Sequence, residues 1–258
     1  MLYSVSNPEA FKELNLVTWR ANTAFWLEGR MRHIHDLSEH ATDVLSGEVD
    51  RLGVRSGTLI DVGCGEAWLL RILRSQSSEW RYIGLDFNDL LIAELKVRHA
   101  QDHKVQFLTH DIEHPVQADL RDAADVVVCS FSLFEVPRLE AAMSTIASLV
   151  RAGGGVVIFS IEPLAQLIAI SANWEDLRSN LSQYEALGPH AGYDKDIDVG
   201  CASGHVYRGI LYSLSDYIDA AAAHGLRVRR SFRIIRTITG VPQVYETLLL
   251  RRERAVGE

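Results

Sequence analysis

The order of apolar and polar positions along the chain divides it into alternating strands and helices. Short apolar runs lie at Thr58–Asp61, Tyr82–Asp86, Val105–Leu108, Asp125–Ser130 and Val156–Ser160, each five or six residues at most. Between them, apolar residues recur at three- and four-residue steps: Leu69, Leu70, Ile72 and Leu73, then Leu91, Ile92 and Leu95, then Leu139, Ala142, Met143, Ile146 and Val150. Runs of the first kind suit strands, and steps of the second kind suit helices with one buried face. Val126-Val127-Val128-Cys129 is apolar without interruption, as expected of a central parallel strand covered on both faces. Five such alternations joined by short connections predict a parallel sheet with helices on both sides. Arg151-Ala152-Gly153-Gly154-Gly155 reads as the turn into the fifth strand.

The flanks follow other rules. Residues 9–28 predict one or two short helices over the core. Met31, Ile34, Ala41, Val44, Leu45, Val49 and Leu52 predict an amphipathic helix ending near Gly53. Residues 162–205 show no regular alternation and read as a functional insertion or a lid with its own short helices. Ser215 is a plausible N-cap for a helix running to His224-Gly225, and two closing strands near Arg227–Ile235 and Val244–Leu250 are expected to pair antiparallel. The chain is therefore read as one domain over 1–258. Its parts are an N-terminal helical cap (1–52), a core (53–161), an insertion or lid (162–205), and a C-terminal helix and hairpin (206–258).

The candidate chemistry begins at Asp61-Val62-Gly63-Cys64-Gly65-Glu66-Ala67. A glycine turn between strand and helix presents backbone N–H groups and a helix N-terminus to a polar ligand. The dinucleotide fingerprint G-x-G-x-x-G/A fits poorly, because its last small position is Trp68. Counted from the acid, Asp61, Gly63, Gly65 and Ala67 stand at alternate positions. This resembles the first motif of class I S-adenosylmethionine (SAM) dependent methyltransferases, with Ala67 replacing the last glycine.

The resemblance spans roughly residues 53–250 and implies roles for further residues. Tyr82–Phe87 resembles the second motif, which implies that Asp86 holds the ribose hydroxyls and Phe87 lies against adenine. An ionised carboxylate is acceptor-only and can take both hydroxyl protons. Thr109-His110-Asp111-Ile112 resembles the segment that meets the adenine amino group through Asp111 and a ring nitrogen through the backbone of Ile112. Asp125–Pro137, including Ser130-Phe131-Ser132-Leu133-Phe134, resembles the fourth motif beside the sulfonium, and Arg151–Ser160 the fifth. The implied fold is a doubly wound, mostly parallel seven-stranded sheet with a C-terminal antiparallel strand. The implied cofactor residues are Asp61, Gly63, Cys64, Gly65, Asp86, Phe87, Asp111, Ile112 and Ser130. SAM becomes S-adenosylhomocysteine (SAH) as the product.

Methyl transfer from a sulfonium is an in-line displacement, so positioning and desolvation supply much of the acceleration. An oxygen or protonated nitrogen acceptor also needs a base. The candidates are His205 and Tyr207 before the last helix, His35 on the N-terminal helix, and His190 and Tyr193 in the insertion. His205-Val206-Tyr207-Arg208 resembles a segment that lies over the acceptor pocket in small-molecule methyltransferases. The acceptor expected is an oxygen, nitrogen or carbon of a metabolite or natural-product intermediate. Alternatives are a nucleoside or RNA, or a catalytically inactive SAM-binding partner subunit. No Asn-Pro-Pro-Tyr or Asp-Pro-Pro-Tyr motif follows the fourth strand, where Cys129-Ser130-Phe131-Ser132 stands.

Charge and composition narrow the setting. A net charge of −8 argues against strong non-specific nucleic-acid binding. Arg227, Arg229 and Arg233 would share a strand face, with Arg251, Arg252 and Arg254 nearby, either as a solvated edge or as an attractor for a phosphorylated or carboxylated partner. Cys64, Cys129 and Cys201 are widely spaced, which suggests a reducing compartment and no zinc site. Asp194, Asp196 and Asp198 read as a solvated turn, and no metal is expected. Residues 1–10 contain Asn7-Pro8-Glu9 and no apolar core, and no apolar run approaches the ~20 residues of a membrane span. A cytoplasmic monomer or homodimer is the expectation.

Overall fold

The computed structural model describes residues 2–27, 37–53, 56–76, 79–188, 190–196, 206–238 and 241–253. His35, Asp198, Cys201, His205 and Arg254 lie outside the described residues.

Seven strands form the main sheet: β2 (Thr58–Val62), β3 (Arg81–Asp86), β4 (Val105–Thr109), β5 (Ala124–Ser130), β6 (Val150–Ile161), β9 (Leu226–Ile238) and β10 (Val241–Arg252). Their order is β4-β3-β2-β5-β6-β10-β9, with β2 to β6 parallel and β10 antiparallel to both β6 and β9. Expectation and structure agree here. The chain runs outward from β2 to β4, then crosses back to β5, so β2 lies at the point where strand order reverses. There Val62 pairs with both Leu85 and Cys129. The loops leaving β2, β3 and β5 therefore emerge side by side, and these carry Gly63, Asp86 and Ser130.

Both faces of the sheet are buried. In β5, Val127 and Cys129 enter one core with Ile60, Ile83, Met143 and Ile146. Val126 and Val128 enter the other with Leu59, Tyr82, Leu69 and Leu73. Period-two side-chain alternation sends successive apolar residues into different layers, which is why this strand is apolar throughout.

The helices are α1 (Pro8–Ala21), α2 (Thr23–Leu27), α3 (Ser38–Leu52), α4 (Trp68–Gln76), α5 (Asp89–Arg98), α6 (Leu139–Leu149), α7 (Pro163–Ile170), α8 (Trp174–Leu187) and α9 (Leu214–Ala223). Asn7 caps α1 by accepting from the Ala10 N–H, with Pro8 in the first turn where a missing N–H costs nothing. Gly53 ends α3 in the left-handed conformation at φ 65°.

Three local expectations change. The turn at Arg151–Gly155 is an irregularity inside β6: Ala124 pairs with Val150, and the ladder resumes at Val126 with Gly155. The N-cap of α9 is Ser213 rather than Ser215; its hydroxyl accepts from the Asp216 N–H while the Asp216 carboxylate accepts from the Ser213 N–H. That reciprocal pair satisfies two otherwise orphaned donors. The third is Asp194, which stands in a strand rather than in a solvated turn. β7 (Ala191–Asp196) joins β1 (Leu2–Ser4) and β8 (Val206–Ile210) in a separate antiparallel sheet, and Asp194 accepts a hydrogen bond from the Tyr3 hydroxyl at 2.8 Å. The insertion thus supplies two helices and the middle strand of this second sheet. One partner strand, β1, comes from the other end of the chain, and the other, β8, follows β7 in sequence and pairs with it antiparallel.

Candidate active site

The loop after β2 crosses to its neighbour through the Leu85 carbonyl, which accepts from Gly63 and Cys64 N–H at 2.8 and 3.0 Å. Gly63 has φ 68°, and a Cβ there would lie 2.3 Å from Ser132 Cβ. Only glycine meets both constraints. Ser132 is held against this turn by donating to the Val62 carbonyl at 2.9 Å. Ala67, which replaces the motif's last glycine, adopts the same left-handed region at φ 60°. The turn is kept at a backbone cost of about 1–2 kcal/mol. Phe131, directly after β5, is also left-handed at φ 55°, and its ring stacks on Phe159. Strained residues of this kind gather where a loop must aim groups at a site.

Asp86 is buried and fixed by main chain: Gly65 N–H donates to Oδ2 at 3.1 Å and Asn88 N–H to Oδ1 at 2.9 Å. Burial raises its proton affinity, and the N–H groups of Asn88, Gly65 and Phe87 oppose that. Asp61 lies beneath the loop and is 1 % exposed. Burial pushes its carboxyl up to about 7, although the Tyr82 hydroxyl donates to it at 2.6 Å.

These loops surround a cavity of about 1140 Å³ including its mouth. Of the residues expected to hold a cofactor, Gly63, Cys64, Gly65, Asp86, Phe87, Asp111, Ile112 and Ser130 line it, whereas Asp61 does not. Asp111 does not stand alone: Lys12 of α1 reaches its Oδ2 at 2.8 Å and Glu113 at 2.7 Å. Burial would raise Asp111, but Lys12 and the Glu113 N–H outweigh it and hold the carboxyl below its ordinary value. Among the described residues, Ser130 Oγ and Asp61 Oδ1 are buried without a hydrogen-bond partner.

The sequence predicts the N-terminal helical cap but does not single out the residues that roof the cavity. Lys12, Trp19 and Glu135 line the same cavity. Trp19 donates its indole N–H to Glu135 Oε2 at 2.5 Å, and its ring stacks on Tyr207 with centroids 5.8 Å apart. Asn15 of α1 bonds both the N–H and the carbonyl of Arg208, and Thr18 bonds the Val206 carbonyl. Glu135 ends a single 3-10 turn, Leu133–Glu135, one residue beyond the Ser130–Phe134 stretch of the fourth motif. An acid set among apolar residues after a motif strand was the available signal.

Of the candidate bases, Tyr207 lies behind Trp19 rather than on the cavity wall, and burial drives its phenol upward. Tyr193 is buried beside it, with centroids 6.3 Å apart. His190 does not line the cavity and lies 3.2 Å from Asp216. His40 contacts Thr247 Oγ1 at 3.0 Å and meets Phe159 and Phe232 edge to face. Among the described residues, no group of three metal-ligating side chains occurs, and no helix is long and apolar enough to cross a membrane.

A sheet that reverses its strand order beside a glycine turn, with an acid at the next strand end, defines a Rossmann-like ligand site. Residues 37–230 match the family model described as a methyltransferase domain, and the chain belongs to that family. It is 28% identical over 149 residues to the ubiquinone biosynthesis O-methyltransferase of Aeromonas salmonicida (strain A449), covering 56% of this chain and 60% of that one. The match thus spans less than two thirds of that curated relative. Two solved structures share the fold. A SAM-dependent methyltransferase from Clostridium acetobutylicum has a TM-score of 0.62 at 12% identity, covering 88% of this chain and 99% of that one. The Burkholderia thailandensis 1,6-didemethyltoxoflavin-N1-methyltransferase, solved with 1,6-didemethyltoxoflavin and S-adenosylhomocysteine, has a TM-score of 0.60 at 14% identity, covering 98% and 93%.

Proposed function

We propose that the protein is a SAM-dependent methyltransferase acting on an oxygen or nitrogen of a small molecule. The observation that carries this reading is the convergence of Gly65, Asp86, Ile112 and Ser130 on one cavity roofed by Trp19 of α1. The residues fit the cofactor chemically. Gly63 and Gly65, both in the left-handed region, line the cavity, Asp86 is an oriented acceptor for hydroxyls, and Ser130 holds a buried hydroxyl oxygen with no hydrogen-bond partner among the described residues. The bound cofactor would supply an electrophilic methyl group, and this chain's residues bind, align and keep out water.

The roof suits a small acceptor and would obstruct a flat macromolecular surface. The arginine strand gives RNA little support, because Arg229 pairs with Glu48 and Arg233 reaches Glu246 at 2.9 Å. The similarity to an O-methyltransferase and to an N-methyltransferase supports either acceptor atom. The buried thiols of Cys64 and Cys129 support the cytoplasm as the setting.

Isothermal titration with SAM and with SAH tests the cofactor, with both expected to bind. Asp86→Ala removes a charged acceptor that two N–H groups orient, and is expected to weaken both ligands by about 10- to 100-fold. Absence of binding, or unchanged binding in the variant, would overturn the assignment. Tritiated methyl from SAM is expected to enter a metabolite extract and not total RNA; transfer to RNA alone would favour the nucleic-acid reading.

A further inference from the structure

Glu135 is the unexplained group in the cavity. It faces the same space as Gly63, Gly65, Asp86 and Ser130, and its carboxyl accepts one hydrogen bond, from Trp19. Among the described residues no cationic side chain pairs with it. The charged and titratable groups around it do not supply a counter-charge. Asp86 adds like charge from the β3 exit. Tyr193 and Tyr207, from β7 and β8, are phenols that burial keeps neutral. Lys12 on α1 lines the cavity, but Asp111 and Glu113 take up its charge. Burial keeps His110, at the β4 exit, below its ordinary value and hence uncharged near neutrality.

Resting on the cofactor reading above, we propose that Glu135 reads the charge on the cofactor's sulfur: it gives up its proton to solvent when a sulfonium is bound in the cavity and keeps it when the sulfur is a neutral thioether. The physical basis is the wall itself. A half-buried carboxyl in the wall of this cavity, beside Asp86 and without a cationic partner among the described residues, favours its neutral form, and burial followed by the Asp86 charge outweighs the Trp19 hydrogen bond to bring Glu135 up to about 8. A positive charge in the same enclosed space favours the carboxylate. SAM and SAH carry the same adenosine, ammonium and carboxylate groups and differ in formal charge only at sulfur. Glu135 therefore separates donor from product, and becomes an anion in the cavity wall only while the donor is present. A hydroxyl or N–H acceptor needs such a group for its proton.

The test is calorimetric and needs no acceptor. Titrations of SAM and of SAH at pH 7, each in phosphate and in Tris, give the protons released per ligand from the difference in buffer ionisation heat. SAM is expected to release about one more proton than SAH. Glu135→Gln, which keeps an oxygen for the Trp19 N–H, is expected to erase that difference while still binding both ligands. Equal release by the two ligands in the native protein, or an undiminished difference in Glu135→Gln, overturns the inference and leaves the cofactor reading standing. If neither ligand binds, both fall together. Should Glu135→Gln fail to fold, the native protein remains informative. Its SAM-to-SAH affinity ratio is expected to rise with pH by up to about tenfold per unit below pH 8 and then level off. A ratio flat from pH 6 to 9 overturns the inference.

Discussion

The floor of the cavity and its roof are built by different means. On the floor, main-chain groups hold main-chain groups or a single acid: Gly63 and Cys64 to Leu85, Gly65 and Asn88 to Asp86, all around one sheet crossing. On the roof, side chains from α1 reach across the fold, Lys12 to Asp111 and Glu113, Trp19 to Glu135, and Asn15 to Arg208. A floor fixed by backbone tolerates almost no change of residue type where the chain turns. A roof fixed by separate polar pairs can lose one and keep the rest. The floor therefore suits an invariant cofactor, and the roof is where acceptor choice can vary.

The largest expected effect tests the floor. Gly63→Ala puts a methyl 2.3 Å from Ser132 Cβ at a left-handed backbone position, so a loss of about 3 kcal/mol or more in denaturant unfolding is expected, together with loss of SAM binding. A variant of native stability that binds SAM normally would show that the loop is not held as described.

The next effect comes from Asp61 below the floor. Its folded proton affinity is raised to about 7 from an ordinary carboxyl value, so the folded state binds the proton more tightly than the unfolded chain. That contribution is full below about pH 4 and is lost as pH rises towards about 7, at a rate of up to about 1.4 kcal/mol per unit. Asp61→Asn is expected to flatten this fall in urea unfolding followed from pH 4.5 to 8. An unchanged slope would place the titration elsewhere.

Lys12→Met tests the roof. Glu113 keeps Arg138 at 3.0 Å, so the cost is expected to be about 1–2 kcal/mol, with faster hydrogen exchange confined to α1 and with SAM affinity altered less than by Asp86→Ala. A loss of SAM binding equal to that of Asp86→Ala would erase the distinction between the two walls. The smallest effect is Ala67→Gly, which relieves the left-handed alanine at the expense of a freer unfolded chain. Thermal unfolding is expected to shift by no more than about 1 kcal/mol in its favour. A clear destabilisation would mean that the Ala67 methyl is needed in the core, where it is 3 % exposed.

The core was legible because its information is local. Alternating apolar runs and helical steps give strands and helices, short connections force neighbours to pack, and a glycine turn between an apolar strand and a helix has one place to go. Asp86 and Ser130 end strands in that frame and Ile112 lies three residues beyond β4, so the resemblance could set them beside the glycine turn. The second sheet went unread because one edge of it comes from residues 2–4 at the far end of the chain, and because α8 is polar enough to bury only Leu177 and Asn180. Glu135 went unassigned because its role depends on what encloses it. Without Trp19 above and Asp86 beside it, it is an ordinary surface acid.

By itself, the sequence determined the doubly wound sheet, the loop at its reversal point and the acids at the strand ends. These follow from periodicity and turn chemistry within stretches of a dozen residues. Tertiary structure alone decided which side chains of α1 close the site, that Lys12 takes up the charge of Asp111, and that Glu135 faces the cavity with no cationic partner among the described residues. Those outcomes depend on long-range packing and on desolvation, which belong to the enclosed volume and to no single stretch of chain.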